Sequence, residues 1–206
     1  MQFVSSNPSV IRSIRQRVFL NAWLRAARKR GGLPLLADFR PEAFADELPD
    51  MMGLDVVGSG DGVRFLITQN GSQLAAAYGN KSARSDNLHN SYLDDAIGPD
   101  RYARVLPSYR ACLSHRRPAY AISTVQDSDG RDVSYERLLL PFGKADAVEQ
   151  IVGSYKAISI DGGFKVRNLM GLRSGAPITI VSAVIDRDFV PSAGAARAGD
   201  DVIELD

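Results

Sequence analysis

The feature that most limits how this chain can fold is a succession of three strand-like segments in its second half. Ala119–Gln126 runs into Asp127-Ser128-Asp129-Gly130, a strong turn sequence; Asp132–Pro141 follows, and after a Gly143-containing loop comes Glu149–Ile160. Strand-like runs joined by such short turn signals pair antiparallel. Upstream, Leu54–Val57 and Val63–Thr68 flank Gly58-Ser59-Gly60-Asp61-Gly62 and read as a further hairpin. Between the two groups lie an Ala-rich helical stretch from Gly71 to Tyr78, a polar loop from Asn80 to Asn90, and a long helix opened by Pro99. On that helix Tyr102, Val105, Leu106, Tyr109 and Leu113 keep helical spacing, and Pro107 is expected to kink or split it. The order predicts an α+β fold: a five-stranded antiparallel sheet with helices on one face.

An N-terminal helical extension precedes this unit. Asn7-Pro8 supplies an N-cap and an N1 proline, and Gly31-Gly32-Leu33-Pro34 supplies a stop. Ile11, Ile14, Val18, Phe19, Ala22, Trp23 and Ala26 then cover an apolar arc about half the circumference, wider than an ordinary surface helix needs, and Leu20 and Leu24 widen it further. The helix is therefore expected to cover the domain core and also to meet a second copy or a partner. Ile11, Ile14, Val18, Phe19 and Trp23 are the candidate homodimer interface. A short helix from Pro41 to Leu48 follows. The expected organisation is 1–48 as helical extension, 49–162 as the main domain, and 163–206 as a C-terminal extension with one strand at Ile178–Ile185 and a mobile tail.

Charge is unevenly spread. The chain carries +1 overall, yet Arg12, Arg15, Arg17, Arg25, Arg28, Lys29 and Arg30 precede the first acidic residue, Asp38, leaving −6 for the remainder. Such asymmetry makes a nucleic-acid or anionic-surface binder the alternative function. The plainer reading is a solvated helix whose last-turn cations offset the helix dipole. The single cysteine, Cys112, excludes an intramolecular disulfide and fits a reducing compartment. No run approaches the roughly 20 apolar residues of a membrane span. The expected location is cytoplasmic.

Several pieces in order resemble bacterial PAS-like proteins, in which the domain is often nearly the whole chain. They are Trp23 with Gly32-Leu33-Pro34, Asp38-Phe39-Arg40-Pro41, Leu48-Pro49, Arg64-Phe65, the helix from Gly71 to Tyr78-Gly79, and Glu136-Arg137-Leu138-Leu139-Leu140-Pro141. The resemblance covers residues 20 to 160. It implies a cleft between the inner sheet face and the long helix, which takes a small ligand or cofactor or is filled with side chains. It also implies signalling through a change in how flanking helices pair, usually in a dimer. The expected function is a sensory or interaction module acting on a separate protein partner, and the sparse His, Cys and carboxylate pairing argues against an enzyme.

Candidate ligand-binding residues follow from that cleft: Tyr102 and Tyr109 on the long helix, and Tyr120, Tyr135 and Arg137 on the strands. Tyrosines place hydroxyls in an apolar wall, and Arg137 can anchor an acid. Period-two alternation groups Tyr120 with Ile122 and Tyr135 with Arg137, but leaves open which face turns inward. Cofactor identity is open as well. His115 is the one residue placed for an axial haem ligand, although Arg116-Arg117 beside it argue for an exposed helix end. The flavin photosensor motif is absent. Cys112 reads as a buried, unreactive thiol, and His89 as an exposed loop residue. Asp94-Asp95 and Asp127/Asp129/Asp132 lack the ligand spacing of a calcium loop.

Overall fold

A computed structural model describes residues 2–74, 88–127, 129–158, 177–186 and 188. Strand β1 (Val4–Ser6) leads into helix α1 (Ile14–Arg30), the short α2 (Leu36–Phe39) and a 3-10 helix over Pro41–Asp50. Strands β2 (Met51–Val57) and β3 (Arg64–Asn70) form the first hairpin. Helices α3 (Leu93–Ile97) and α4 (Pro99–His115) then lead to β4 (Ala119–Gln126), β5 (Asp132–Lys144), β6 (Ala147–Ile158) and β7 (Ile178–Ile185). Among the described residues seven strands make one open sheet in the order β1-β7-β4-β5-β6-β2-β3. Every pairing is antiparallel except the short β1–β7 edge. The chain is therefore α+β, and the five expected strands lie side by side as β4-β5-β6-β2-β3.

Helices cover both faces of this sheet, not one. Val105, Tyr109 and Cys112 of α4 pack with Leu93 and Ile97 of α3 onto Leu54, Phe65, Tyr135, Leu139, Ile151 and Tyr155. On the other face, Phe19, Leu20 and Trp23 of α1 pack with Leu33 and Phe39 onto Tyr120, Ile122, Leu138, Leu140, Phe142 and Val152. The cause is visible in β5, buried at every position from Tyr135 to Gly143. A strand apolar on both sides needs cover on both sides.

A strand from each of the two expected extensions joins the same sheet. Strand β7 forms over Ile178–Ile185 as expected and pairs with β4, a partner the sequence did not indicate, whereas β1, which no sequence signal marked, adds a parallel edge with Val4 opposite Ala183 and Ser6 opposite Ile185. Helix α1 begins later than its first cap signal. Asn7 caps only the 3-10 turn Pro8–Val10; Ser13 then accepts from the Gln16 N–H and starts the long helix. Gly31 ends it in the left-handed region at φ 76°, where glycine alone carries no Cβ penalty. Pro107 does not split α4. The helix runs on through it because its flanks, Val105, Ser108, Tyr109, Ala111 and Cys112, are clamped by burial. The expected mobile tail and most of the Gly71–Tyr78 helix lie outside the described residues.

Gly143 is not in a loop; β5 continues to Lys144, and only Ala145-Asp146 separate it from β6. A Cβ on Gly143 would overlap the Ala147 carbonyl oxygen, and its own N–H donates to Pro34 O at 3.0 Å. Gly143→Ala should thus cost about 1–3 kcal/mol by forcing the hairpin backbone apart. Denaturant midpoints check this, and an unchanged midpoint would show that the hairpin yields freely.

Candidate functional site

The space between α4 and the sheet holds polar groups in apolar surroundings. Tyr109 of α4 and Tyr155 of β6 are both buried, and their hydroxyls meet at 2.7 Å. Tyr135 lies 6.2 Å from the Tyr155 ring, and Phe65 packs 4.9 Å from Tyr109. Arg137 stands opposite Tyr155 in the β5–β6 register, is 9% exposed, and reaches Ser108 Oγ on α4 at 3.4 Å. Its guanidinium lies 5.9 Å from the Tyr155 ring centroid, a cation–π distance.

Of the five residues expected here, Tyr109, Tyr135 and Arg137 come together. Tyr102 is partly buried at the edge of the same cluster, where burial pushes its phenol up from the ordinary value of 10.0. Tyr120 does not belong to the group; it faces α1 on the opposite side of the sheet. Tyr155 was missed, although its place two residues after Gly153 in an alternating strand puts it on the face of Ile151.

The α1 face carries a second polar set. Glu136, 1% exposed, accepts from Tyr120 Oη at 2.8 Å and from the Ser13 N–H at 3.1 Å. Tyr120 Oη in turn accepts from the Arg12 N–H at 3.1 Å. Burial is the first cause raising the Tyr120 phenol far above its ordinary value. Gln16, wholly buried in α1, donates to Ser154 O at 3.0 Å. The start of α1 is thereby hydrogen-bonded to β4, β5 and β6 together. Glu136 and Arg137 are sequence neighbours on opposite faces of β5, so one strand joins the α4 cluster to the α1 anchor.

Beside this anchor, α1 and the 3-10 helix enclose an open pocket of about 320 Å³ lined by Arg15, Val18, Phe19, Phe44, Ala45, Asp46 and Glu47. Lys156 Nζ lies 2.5 Å from both Glu47 Oε2 and Asp50 Oδ2, and Arg15 also pairs with Glu47. Burial alone would raise the Glu47 carboxyl, but the hydrogen bonds from Lys156 and Arg15 outweigh it and hold the group below the ordinary 4.5. A depressed carboxyl adds stability above its unfolded value and loses it as pH falls through the folded one. Stability should therefore decline as pH drops below 4.5, and Glu47→Gln should flatten that decline. Urea titrations over this range decide it; an equally steep variant would remove Glu47 as a source.

The candidate interface residues divide. Ile11, Phe19 and Trp23 are 1%, 1% and 6% exposed, buried by the chain's own sheet, so they offer no surface to a second copy. Ile14 and Val18 remain exposed, at 72% and 47%. Cys112 is buried, and burial pushes its thiol far up, which keeps it unreactive. His115 is exposed at the end of α4, and His89 is exposed in its loop. Arg64 is held by Asp94 and Asp95 and stacks 3.8 Å over Tyr92, so that acidic pair fastens α3 to β3. Asp127 Oδ1 accepts from the N–H groups of Asp129 and Arg131, as a turn-forming Asp does. Among the described residues no cluster of three or more His, Cys, Asp or Glu is placed to hold a metal, and no helix is long and apolar enough to cross a membrane.

Fold and site together define an α+β protein with an N-terminal helix and a mixed, mostly antiparallel open sheet packed between helices. No family model matches the chain, and no curated protein matches it.

Proposed function

We propose that the chain is a PAS-like sensory or protein-interaction module without catalysis of its own, reading a small ligand between α4 and the sheet and passing the change to a separate partner through α1. The observation that carries this reading is the Glu136–Arg137 pair. Arg137 sits among Tyr109, Tyr135, Tyr155 and Ser108, while the adjacent Glu136 holds the N-cap Ser13 of α1. A displacement of β5 by a ligand on one face must reach the helix on the other, because a packed interior transmits strain. The five antiparallel strands and the roofing helix α4 also fit the PAS-like resemblance.

The test is native mass spectrometry of the protein as purified, coupled to hydrogen exchange across a panel of small acids. A ligand should add mass, slow or speed exchange in α1, and be lost in Arg137→Met. No added mass from any source, with α1 exchange unmoved, would end the sensor reading. Homodimerisation belongs to the same proposal and now rests on Ile14 and Val18 alone. Ile14→Glu with Val18→Glu should leave a monomer by light scattering, and an intact dimer would move the interface elsewhere.

A second reading has one observation in its favour. Among the described residues Arg25, Arg28 and Lys29 of α1 have no acidic partner, and all three are exposed. Such a row can bind an anionic polymer, with affinity that falls steeply as salt rises. Absence of binding at low salt would discard it.

A further inference from the structure

Two neighbouring elements of opposite charge lie side by side at the surface. Helix α1 carries Arg15, Arg17, Arg25, Arg28, Lys29 and Arg30 and no acidic residue, whereas the 3-10 helix over Pro41–Asp50 has four acidic residues among its ten and no base. The two run antiparallel, since Glu47 pairs with Arg15 and the Phe44 ring lies 4.7 Å from that of Phe19. Between them opens the pocket of about 320 Å³, its apolar wall formed by Val18, Phe19, Phe44 and Ala45. Ile14 and Val18, one turn apart on the outward side of α1, stay 72% and 47% exposed beside it.

Charge inside one chain is only partly matched. Glu47 is taken by Arg15 and Lys156, and Asp50 by Lys156. Among the described residues Asp46 is exposed on the pocket rim with no ion pair, and Arg25 is exposed on α1 with none. Their places along α1 keep them apart. Arg25 stands two turns after Val18, about 10 Å further along the helix, while Asp46 sits by the N-terminal half, next to Glu47 and its partner Arg15. A two-fold axis near Val18 that sets two copies of α1 antiparallel lays the C-terminal half of one over the N-terminal half of the other. An isologous contact of this kind makes every match twice. Arg25 of each copy then meets Asp46 of the other, and Ile14 and Val18 of each meet the other's pocket.

We propose that a second copy of this chain occupies the pocket, seated by Ile14 and Val18 of its α1 and held in register by the reciprocal Arg25–Asp46 pairs. The inference rests on the homodimer reading above and adds the surface that receives the exposed pair and the antiparallel sense of the two helices. Size sets the strength of the contact. The outward face of α1 measures about 25 Å by 10 Å, and the 3-10 helix adds up to about 20 Å by 10 Å. Together they offer roughly 450 Å² per copy, against about 800 Å² for a stable pair. The dimer is therefore weak and dependent on concentration, and its exposed charges make it sensitive to salt.

Charge exchange in the full chain tests it, read by sedimentation velocity over a wide range of concentration. Arg25→Glu and Asp46→Arg each change an exposed side chain, so both variants should fold as the parent does, which circular dichroism checks. Each alone should weaken self-association about tenfold, because the reversed contact occurs twice per dimer. The double variant Arg25→Glu/Asp46→Arg should recover it. Mixed together, the two single variants should form the heterodimer in preference to either homodimer, since both of its contacts then pair opposite charges; native mass spectrometry resolves the species. A chain monomeric at every concentration removes the homodimer reading and this proposal with it. A dimer that ignores both single reversals, a double variant without recovery, or a mixture without heterodimer preference leaves that reading standing and overturns this docking.

Discussion

Trp23→Ala should remove about 3–5 kcal/mol of folding stability, the usual cost of deleting a large buried aromatic. Trp23 is 6% exposed, packs in the α1-side core, and donates its indole N–H to Pro141 O at 2.7 Å. The truncation therefore opens a cavity and also strips a buried carbonyl of its donor. Total stabilities run to about 5–15 kcal/mol, so roughly a fifth or more of the margin is at stake. Because Trp23 is the only tryptophan, unfolding is best followed by circular dichroism in urea. Trp23→Phe separates the two contributions: it keeps most of the volume and loses the hydrogen bond, worth about 1 kcal/mol. A loss under about 1 kcal/mol for the alanine variant would mean that α1 is not seated on the sheet.

The second large effect concerns Glu136. Replacing it with alanine leaves the Tyr120 hydroxyl and the Ser13 N–H without their acceptor inside the protein, and each orphaned group costs about 1–3 kcal/mol. Glu136→Gln, which keeps an acceptor oxygen, should be much milder. The discriminating measurement is a double-mutant cycle with Tyr120→Phe. Removing both partners together should cost less than the sum of the separate losses, since neither is then left stranded. Strict additivity would show that the two side chains are not coupled. Hydrogen exchange in the first turn of α1 should accelerate in Glu136→Ala, because Ser13 is the residue that starts the helix.

Much of the sheet was legible in sequence because turn chemistry is local. Asp127 accepts from the Asp129 and Arg131 N–H groups with its own side chain, and the strands on either side pair antiparallel. The α4 helix was legible for the same reason: Tyr109 and Cys112 fall on one face by helical geometry alone. The facing of Tyr120 was not. Alternation divides a strand into two sets without saying which turns inward, and β4 shifts register between Ile122 and Ser123. The wide apolar arc of α1 was read correctly as excess burial. Its expected cover was the core together with a second copy or partner; a second face of the chain's own sheet covers Ile11, Phe19 and Trp23, while Ile14 and Val18 stay exposed.

From its sequence alone the chain determined its two long helices, its five central strands and β7, their order, and the antiparallel pairing of its hairpins, for these depend on backbone preferences within a few residues of one another. Only the tertiary structure decided that helices lie on both faces, that β1 and β7 extend the sheet, and that Glu136 and Arg137 serve opposite sides of one strand. Those outcomes depend on contacts between residues distant in the chain, such as Ser13 with Glu136 and Trp23 with Pro141, and no local pattern carries information over that distance.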